Sequence, residues 1–453
     1  MKKKFERVYS ILLAGGTGTR LWPVSRQLYP KQLVKFIGQD SLVQTTIKRL
    51  TSLLDPENIR IVCGEEHVHE TARHMEEIGI NSNGKIISEP CGRNTAPAIL
   101  LAVFNVLKNE KDAIMCIFPA DHVIKDEKDF HTKLESAIGL AESGYIVTFG
   151  IKPHYPETGY GYIEGAQEVA QGALKIKRFV EKPDRQTAKD YLTAGNYFWN
   201  SGMFTFKASV ILEEFKRYQP GIFQSMEKMV VEKDRVTNQE YGQLPDISID
   251  YAIMEKTAKG VVLPSEFGWS DIGSWKSLYE FLPKGDYNNV IDGDVIARNT
   301  ENCFILGRDR LIATNYIKNM VVVETPDSVF VSDLDNSRDV KSIVEYLQAG
   351  GRWECKQHTT VYQPWGTTTM LEQKNDYTVK RMDLYPGASA DLNQGASKIK
   401  HLSVISGAGR IESSSGKRRL KKGQTILLSA KEAVRIENSA EEPLCVIEIE
   451  MDV

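Results

Sequence analysis

Through the first third of the chain, short apolar runs take turns with stretches whose apolar residues recur every three or four positions. "VYSILLAGG" is followed by "SLVQTTIKRLTSLL", then "IRIVCG", a helical stretch at His69–Ile78, "KIISEP", "TAPAILLAVFNVLKN" and "AIMCIFPADH". Unbroken apolar runs of this length read as strands buried on both faces, and the periodic stretches as amphipathic helices. Their alternation predicts an α/β fold, a parallel sheet with helices on both sides that holds ligands beyond the carboxyl ends of its strands. Gly15, Glu89 and Asp121 each fall at such an end.

The pattern then changes twice. Between about residues 145 and 280 it is mixed, with strand-like "YIVTFGI", "ALKIKRFVEKP" and "SGMFTFKAS" and helical "SVILEEFKRYQ", and it reads as an insertion covering the sheet edge. From about 288 to 340 short strands follow one another, closed by the helical "SRDVKSIVEYLQAG" on a glycine suited to a helix C-terminus. "AGGRWECKQHTTVYQPWG" reads as a linker, and the last hundred residues as an antiparallel sandwich or barrel of short strands. Three units are expected, at 1–285, 286–350 and 351–453, as suits a chain of 453 residues.

With 41% hydrophobic and 26% charged residues, the composition is that of a soluble globular protein. A net charge of -3 argues against a constitutive grip on nucleic acid or anionic membrane, and directs attention to a small-molecule partner. The six cysteines show no CxxC or other tight spacing, so neither a zinc site nor a disulfide framework is indicated. No apolar run of membrane-spanning length occurs, and the basic start "MKKKFERVYSILLAGG" ends in glycines rather than a cleavage site. A cytoplasmic location is expected.

Candidate chemistry begins at "LLAGGTGTRLWPVSRQLYPK", residues 12–31. It is not a Walker A loop, because no Gly-Lys-Ser/Thr follows, and Leu21 stands where a dinucleotide fingerprint needs its third glycine. Successive N–H groups in a glycine-rich loop nonetheless form an anion-binding concavity, to which Arg20 adds a bidentate fork and Lys31 a compact charge. Pro23 and Pro30 stiffen the excursion between them. This is a site for a polyphosphate.

The same loop resembles the signature of sugar-nucleotide pyrophosphorylases, and its Leu-Trp-Pro-Val-Ser-Arg run the mannose-1-phosphate guanylyltransferase branch. "SEPCGRNTAPAI" (88–99), "FPADHVI" (118–124), "TGYGYIE" (158–164), "FVEKP" (179–183), "NSGMF" (200–204) and "WSDIGSW" (269–275) carry the resemblance over residues 8–280. It implies a Rossmann-like nucleotidyltransferase domain that joins GTP to mannose 1-phosphate and releases pyrophosphate. For nucleotide contact it implies Leu13, Ala14, Gly15, Gly16, Thr17, Gly18, Thr19, Arg20, Glu89, Pro90, Asn94, Pro119 and Ala120. For the sugar phosphate it implies Gly159, Tyr160, Gly161, Glu181, Lys182 and Asn200, the glycine amides facing the sugar. Asp121 and Asp271 are the implied carboxylates for Mg²⁺, and Arg20, Lys31 and Lys182 the catalytic charge neutralisers. A manno-configured heptose phosphate would present much of the same face as mannose.

Residues 361–453 resemble the cupin domain of two-function members, the mannose-6-phosphate isomerase type 2 family, in which it carries metal-dependent isomerase activity. Where that pattern has His, His, Glu and His, this chain has Asn393, Gly395, Lys400 and Val434, while Pro386, Gly387, Gly407, Gly423 and Asn438 persist. His401 alone beside a lysine does not make a metal site. A barrel lacking metal and isomerase activity is expected, its remaining roles being assembly or effector binding. The β-rich segment before it, β-helix-like by resemblance, is expected to pair chains into a homodimer or higher homo-oligomer.

Overall fold

The computed structural model describes residues 5–452 except 17, 37, 234, 393–397, 414–415 and 430–433. Its first unit is built on eleven strands: β1 (Val8–Leu13), β2 (Ile59–Gly64), β3 (Ile86–Glu89), β4 (Ile114–Pro119), β5 (Val123–Ile124), β6 (Ile146–Ile151), β7 (Tyr162–Ala170), β8 (Ala173–Val180), β9 (Tyr197–Lys207), β10 (Gly260–Ser265) and β11 (Trp269–Ser270). Nine form one sheet in the order β3-β2-β1-β4-β9-β6-β10-β8-β7. β1 to β4 are mutually parallel, so their carboxyl ends share one edge, with Leu13 beside Val62 and Pro119 and Gly64 beside Glu89.

Alternate residues of β1 serve two cores. Tyr9 and Ile11 pack with helix Thr95–Leu107, and Val8 and Leu12 with helices Leu42–Thr51 and Glu127–Glu142. Burial on both faces is why these strands lack polar alternation.

Residues 145–280 do not cover the sheet edge as an insertion. They supply five of its nine strands, and β9 runs antiparallel between β4 and β6 near the middle. Only the β7–β8 hairpin lies at the margin. The misreading has a physical cause: strand length and apolarity do not encode which neighbour a strand finds.

In the second unit Val290–Asp292, Phe304–Leu306 and Met320–Thr325 stack in parallel, Val295–Arg298 pairs in parallel with Ile312–Asn315, and helix Val340–Ala349 follows. Its core is continuous with the signature loop: Leu21, Trp22 and Val24 are buried against Trp275, Phe304, Val321 and Phe330. Arg26, 1% exposed, donates to Asp327 at 2.8 Å. The Leu-Trp-Pro-Val-Ser-Arg run is thus an inter-unit plug as much as part of a phosphate loop. The expected linker also has partners there. Trp22 Nε1 donates to the Glu354 carbonyl (2.9 Å), Gln27 N to that of Cys355 (3.1 Å), Leu28 N to that of Lys356 (2.8 Å), and the His358 ring meets the Val24 carbonyl (2.8 Å).

The third unit is a barrel of two antiparallel sheets, six-stranded and four-stranded. Its persistent residues have backbone reasons. A Cβ on Gly407, at φ +80°, would lie 2.6 Å from the Pro443 carbonyl oxygen, and Asn438, fully buried, donates to the carbonyls of Leu384 (3.0 Å) and Glu442 (2.9 Å).

Candidate active site

Beyond the end of β1 the chain is pinned before it turns. Ala14 N donates to the Val62 carbonyl (2.8 Å), and Gln32 Nε2 to the Ala14 carbonyl (2.6 Å). Gly18 adopts φ +59°, and a Cβ there would come within 2.5 Å of the Lys31 Cβ, so only glycine closes the loop. Thr19–Leu21 form a short 3-10 turn, and Gly15, Gly16 and Arg20 are exposed at its rim. Thr17 lies outside the described residues.

A cavity of about 440 Å³ opens at the carboxyl ends of β1 to β4, lined by Leu13, Gly15, Gly16, Glu89, Asn94, Pro119 and Asp121 of the expected set. Ala14 and Ala120 are buried, and Ala120 N donates to the Leu13 carbonyl (3.0 Å). Pro90 is half-buried. Asn94, at φ 64°, caps helix Thr95–Leu107 by accepting from Thr95 N (2.9 Å). Glu89 is 5% exposed and accepts from the Tyr241 hydroxyl at 2.6 Å. Burial holds its carboxyl above the ordinary range, against the pull of that hydrogen bond.

The two aspartates, far apart in sequence, meet through a two-stranded ribbon. β5 pairs with β11, Val123 beside Ser270 and Ile124 beside Trp269, so the residues that leave the ribbon are Asp121 on one side and Asp271 on the other. Lys31 joins them: its Nζ is 2.8 Å from Asp121 Oδ2 and donates to the Asp271 carbonyl at 2.6 Å. Burial works against ionisation of Asp121, but Lys31 and then His122 outweigh it and bring the carboxyl below its ordinary value. His122 is held by Trp269 Nε1, which donates to its Nδ1 at 3.1 Å. Asp271 Oδ1 accepts from the Tyr160 hydroxyl (2.8 Å) and from Gly273 N (3.0 Å). Among the described residues no group of three or more His, Cys, Asp and Glu gathers as a metal cluster. Two carboxylates, one held ionised, still suit a hard cation that takes its other oxygens from phosphates and water.

The sugar-side residues form a second group. Asn200 Nδ2 donates to Asp250 Oδ1 (2.9 Å), its Oδ1 accepts from Gly202 N (3.1 Å), and its N donates to the Gly161 carbonyl (2.8 Å). A Cβ on Gly161 would lie 2.5 Å from Glu181 Oε2, the movable end of that side chain. Lys182, at φ 46° and 60% exposed, pairs with Glu181 at 2.7 Å. The Gly159 amide donates to Glu157 Oε1 at 2.8 Å.

Gln32, His122, Tyr241 and Asp250 were not legible as site residues. Asp250 lines the cavity, and desolvation, with Glu181 nearby, pushes its carboxyl up to about 6. Its only signal, an aspartate before "YAIM", is indistinguishable from a helix start.

The chain matches the nucleotidyl transferase family over residues 9–286. It belongs to that family. Within it, the similarity is to mannose-1-phosphate guanylyltransferases: that of Klebsiella pneumoniae is 38% identical, covering 97% of this chain and 95% of its own, and that of Escherichia coli 39%, with the same coverage. The xanthan biosynthesis protein XanB of Xanthomonas campestris is 39% identical over 98% of this chain and 95% of its own. Beyond the nucleotidyltransferase domain, residues 293–347 match the MannoseP isomerase/GMP-like beta-helix domain and 350–452 the mannose-6-phosphate isomerase C-terminal domain. Two solved structures are 32% identical to this chain. One, described as mannose-1-phosphate geranyltransferase, is from Thermus thermophilus (TM-score 0.70, covering 76% of this chain and 99% of that one). The other, a mannose-6-phosphate isomerase, is from Helicobacter pylori (TM-score 0.50, covering 58% and 99%).

Proposed function

We propose that the chain transfers the guanylyl group of GTP to mannose 1-phosphate, forming GDP-mannose and pyrophosphate. The observation that carries this is the convergence at one strand edge of the glycine-rich loop, Asp121, Asp271 and Lys31. An oxygen of the sugar phosphate, already anionic, forms a bond to the α-phosphorus as the bond to the departing pyrophosphate breaks in line. No strong general base is required, so catalysis rests on positioning and charge neutralisation. The loop amides and Arg20 face the triphosphate, Lys182 meets the sugar phosphate, and Lys31 keeps Asp121 ionised and ties it to the Asp271 backbone. Mg²⁺, held by Asp121 and Asp271 with phosphate oxygens, would neutralise charge on the departing pyrophosphate.

Glu89 is suited to the base, since a carboxylate accepts from the N1–H and exocyclic amine that distinguish guanine from adenine. A cytoplasmic setting belongs to the same proposal, because the reaction consumes GTP. Among the described residues no helix is long and apolar enough to cross a membrane. Pairing of chains through the β-helical unit is part of the same reading. Pyrophosphate release with four nucleoside triphosphates crossed against mannose, glucose and heptose 1-phosphates tests it; preference for any pair other than GTP and mannose 1-phosphate would displace it.

The barrel's own residues do not fit a metal. Lys400 occupies a ligand position and is 5% exposed, its Nζ 3.2 Å from both Glu448 Oε2 and Glu450 Oε2. Val434, at another, is packed in the core beside Ile436. Asn393 and Gly395 lie outside the described residues. We infer a barrel without isomerase activity, and metal-dependent conversion of fructose 6-phosphate to mannose 6-phosphate would refute this.

A further inference from the structure

The loop entering β7 is held by a residue from another unit. Glu157, 5% exposed, accepts through Oε1 from Gly159 N (2.8 Å) and from Arg338 Nη1 (3.1 Å), and through Oε2 from Arg338 Nη2 (2.8 Å). Its carbonyl accepts from the Tyr162 hydroxyl at 3.0 Å. Within the loop so fixed, Tyr160 places its hydroxyl on Asp271 Oδ1 and packs edge-on against Trp199 and Trp269, each at 5.3 Å. Arg338 stands in the short turn Ser337–Asp339 before helix Val340–Ala349, in the β-helical unit.

A fork-to-carboxylate pair of this kind fixes both distance and plane, which a lysine cannot reproduce. The β-helical unit is itself seated on the signature loop through Leu21, Trp22 and the Arg26–Asp327 pair. The same unit therefore contacts both the signature loop and the loop at 157–161.

We propose that Arg338 is a positioning residue for the sugar-phosphate half of the site: acting through Glu157 it fixes the loop at 157–161, and with it Tyr160. This rests on the guanylyltransferase reading. Without Arg338, a buried carboxylate is left to backbone amides and loses the guanidinium that pairs with it, and the loop gains by opening to water.

The test uses the full chain with Arg338→Ala, Arg338→Lys and Glu157→Gln, measuring pyrophosphate release and amide hydrogen exchange. Arg338→Ala should raise KM for mannose 1-phosphate by roughly tenfold or more while KM for GTP stays within about twofold, since a small misplacement of a binding loop is felt on this scale. Arg338→Lys should recover part of the loss. The double variant with Glu157→Gln should be no worse than the poorer single, because the two act as one unit. Exchange should quicken at residues 157–162 and not in β1 or β4. A fall in kcat with both KM values unchanged, the mark of a smaller folded fraction, overturns the proposal. Wild-type protein unable to release pyrophosphate would overturn the guanylyltransferase reading instead; exchange at 157–162 unaltered in Arg338→Ala would overturn this one whatever the substrate.

Discussion

Lys31 Nζ lies 2.8 Å from Asp121 Oδ2, and the lysine side chain is 9% exposed. The pair is a partly buried ion pair at the place where a cation and a triphosphate are expected to arrive. Asp121→Asn should therefore lower pyrophosphate release by roughly a hundredfold or more, the scale of a lost charge stabiliser. It should also change acid stability. Because the Asp121 carboxyl titrates below its ordinary value, its stabilisation is present above the unfolded-state pKa and is lost as pH falls through the folded-state one. Denaturant titrations should show wild type losing its advantage over Asp121→Asn on acidification; full activity in the variant would sink the assignment.

Asp250 has the opposite sign. Its folded-state pKa of about 6 stands above the ordinary 3.8, so its contribution is complete below 3.8 and is lost as pH rises through 6. Asp250→Asn keeps an oxygen to accept from Asn200 and removes the charge. It should match wild type near pH ~4 and exceed it by ~3 kcal/mol near pH ~8. Thermal unfolding at the two pH values decides it, and a variant less stable at the higher pH would refute the desolvation argument.

Tyr241→Phe removes the donor on Glu89 without opening a cavity. The Glu89 carboxyl, already raised by burial, should rise further, and GTP affinity should fall about tenfold, as for a lost charge-assisted hydrogen bond. Calorimetric titration with GTP gives the number. An unchanged Kd would remove Glu89 from the nucleotide contacts.

In the barrel, chelators should leave the unfolding temperature unchanged, whereas Lys400→Met should destabilise by ~3 kcal/mol, because Glu448, 3% exposed, loses its nearest cation. Lys380, 3.8 Å from Glu448 on its other oxygen, is the reserve that limits the loss. A chelator-sensitive barrel would contradict the reading.

What was legible in the sequence were the local facts. The apolar runs gave β1 to β4, and their ends gave Gly15, Glu89 and Asp121, because strand burial and ligand edge follow from chain-local pattern. Asp271 was reachable only through the motif "WSDIGSW", since nothing local says that β11 pairs with β5. The central antiparallel β9 and the stitched segment at 353–358 were read wrongly, and the Gly159–Glu157 hydrogen bond was not read at all. Each involves a partner elsewhere in the chain: the carboxylate of Glu157 that accepts from Gly159 N also accepts from Arg338, and a loop composition at 353–358 cannot show that Trp22, Gln27 and Val24 hold it.

The hydrogen bonds from that segment to the signature loop reach back over 332 and 334 positions. Trp22, Val24, Gln27 and Leu28 are made long before the residues 354–358 that hold them. Anchoring of this part of the signature loop therefore depends on contacts of very high sequence separation, which form slowly. A chain cut before residue 353 would lack the partners of Trp22, Val24, Gln27 and Leu28.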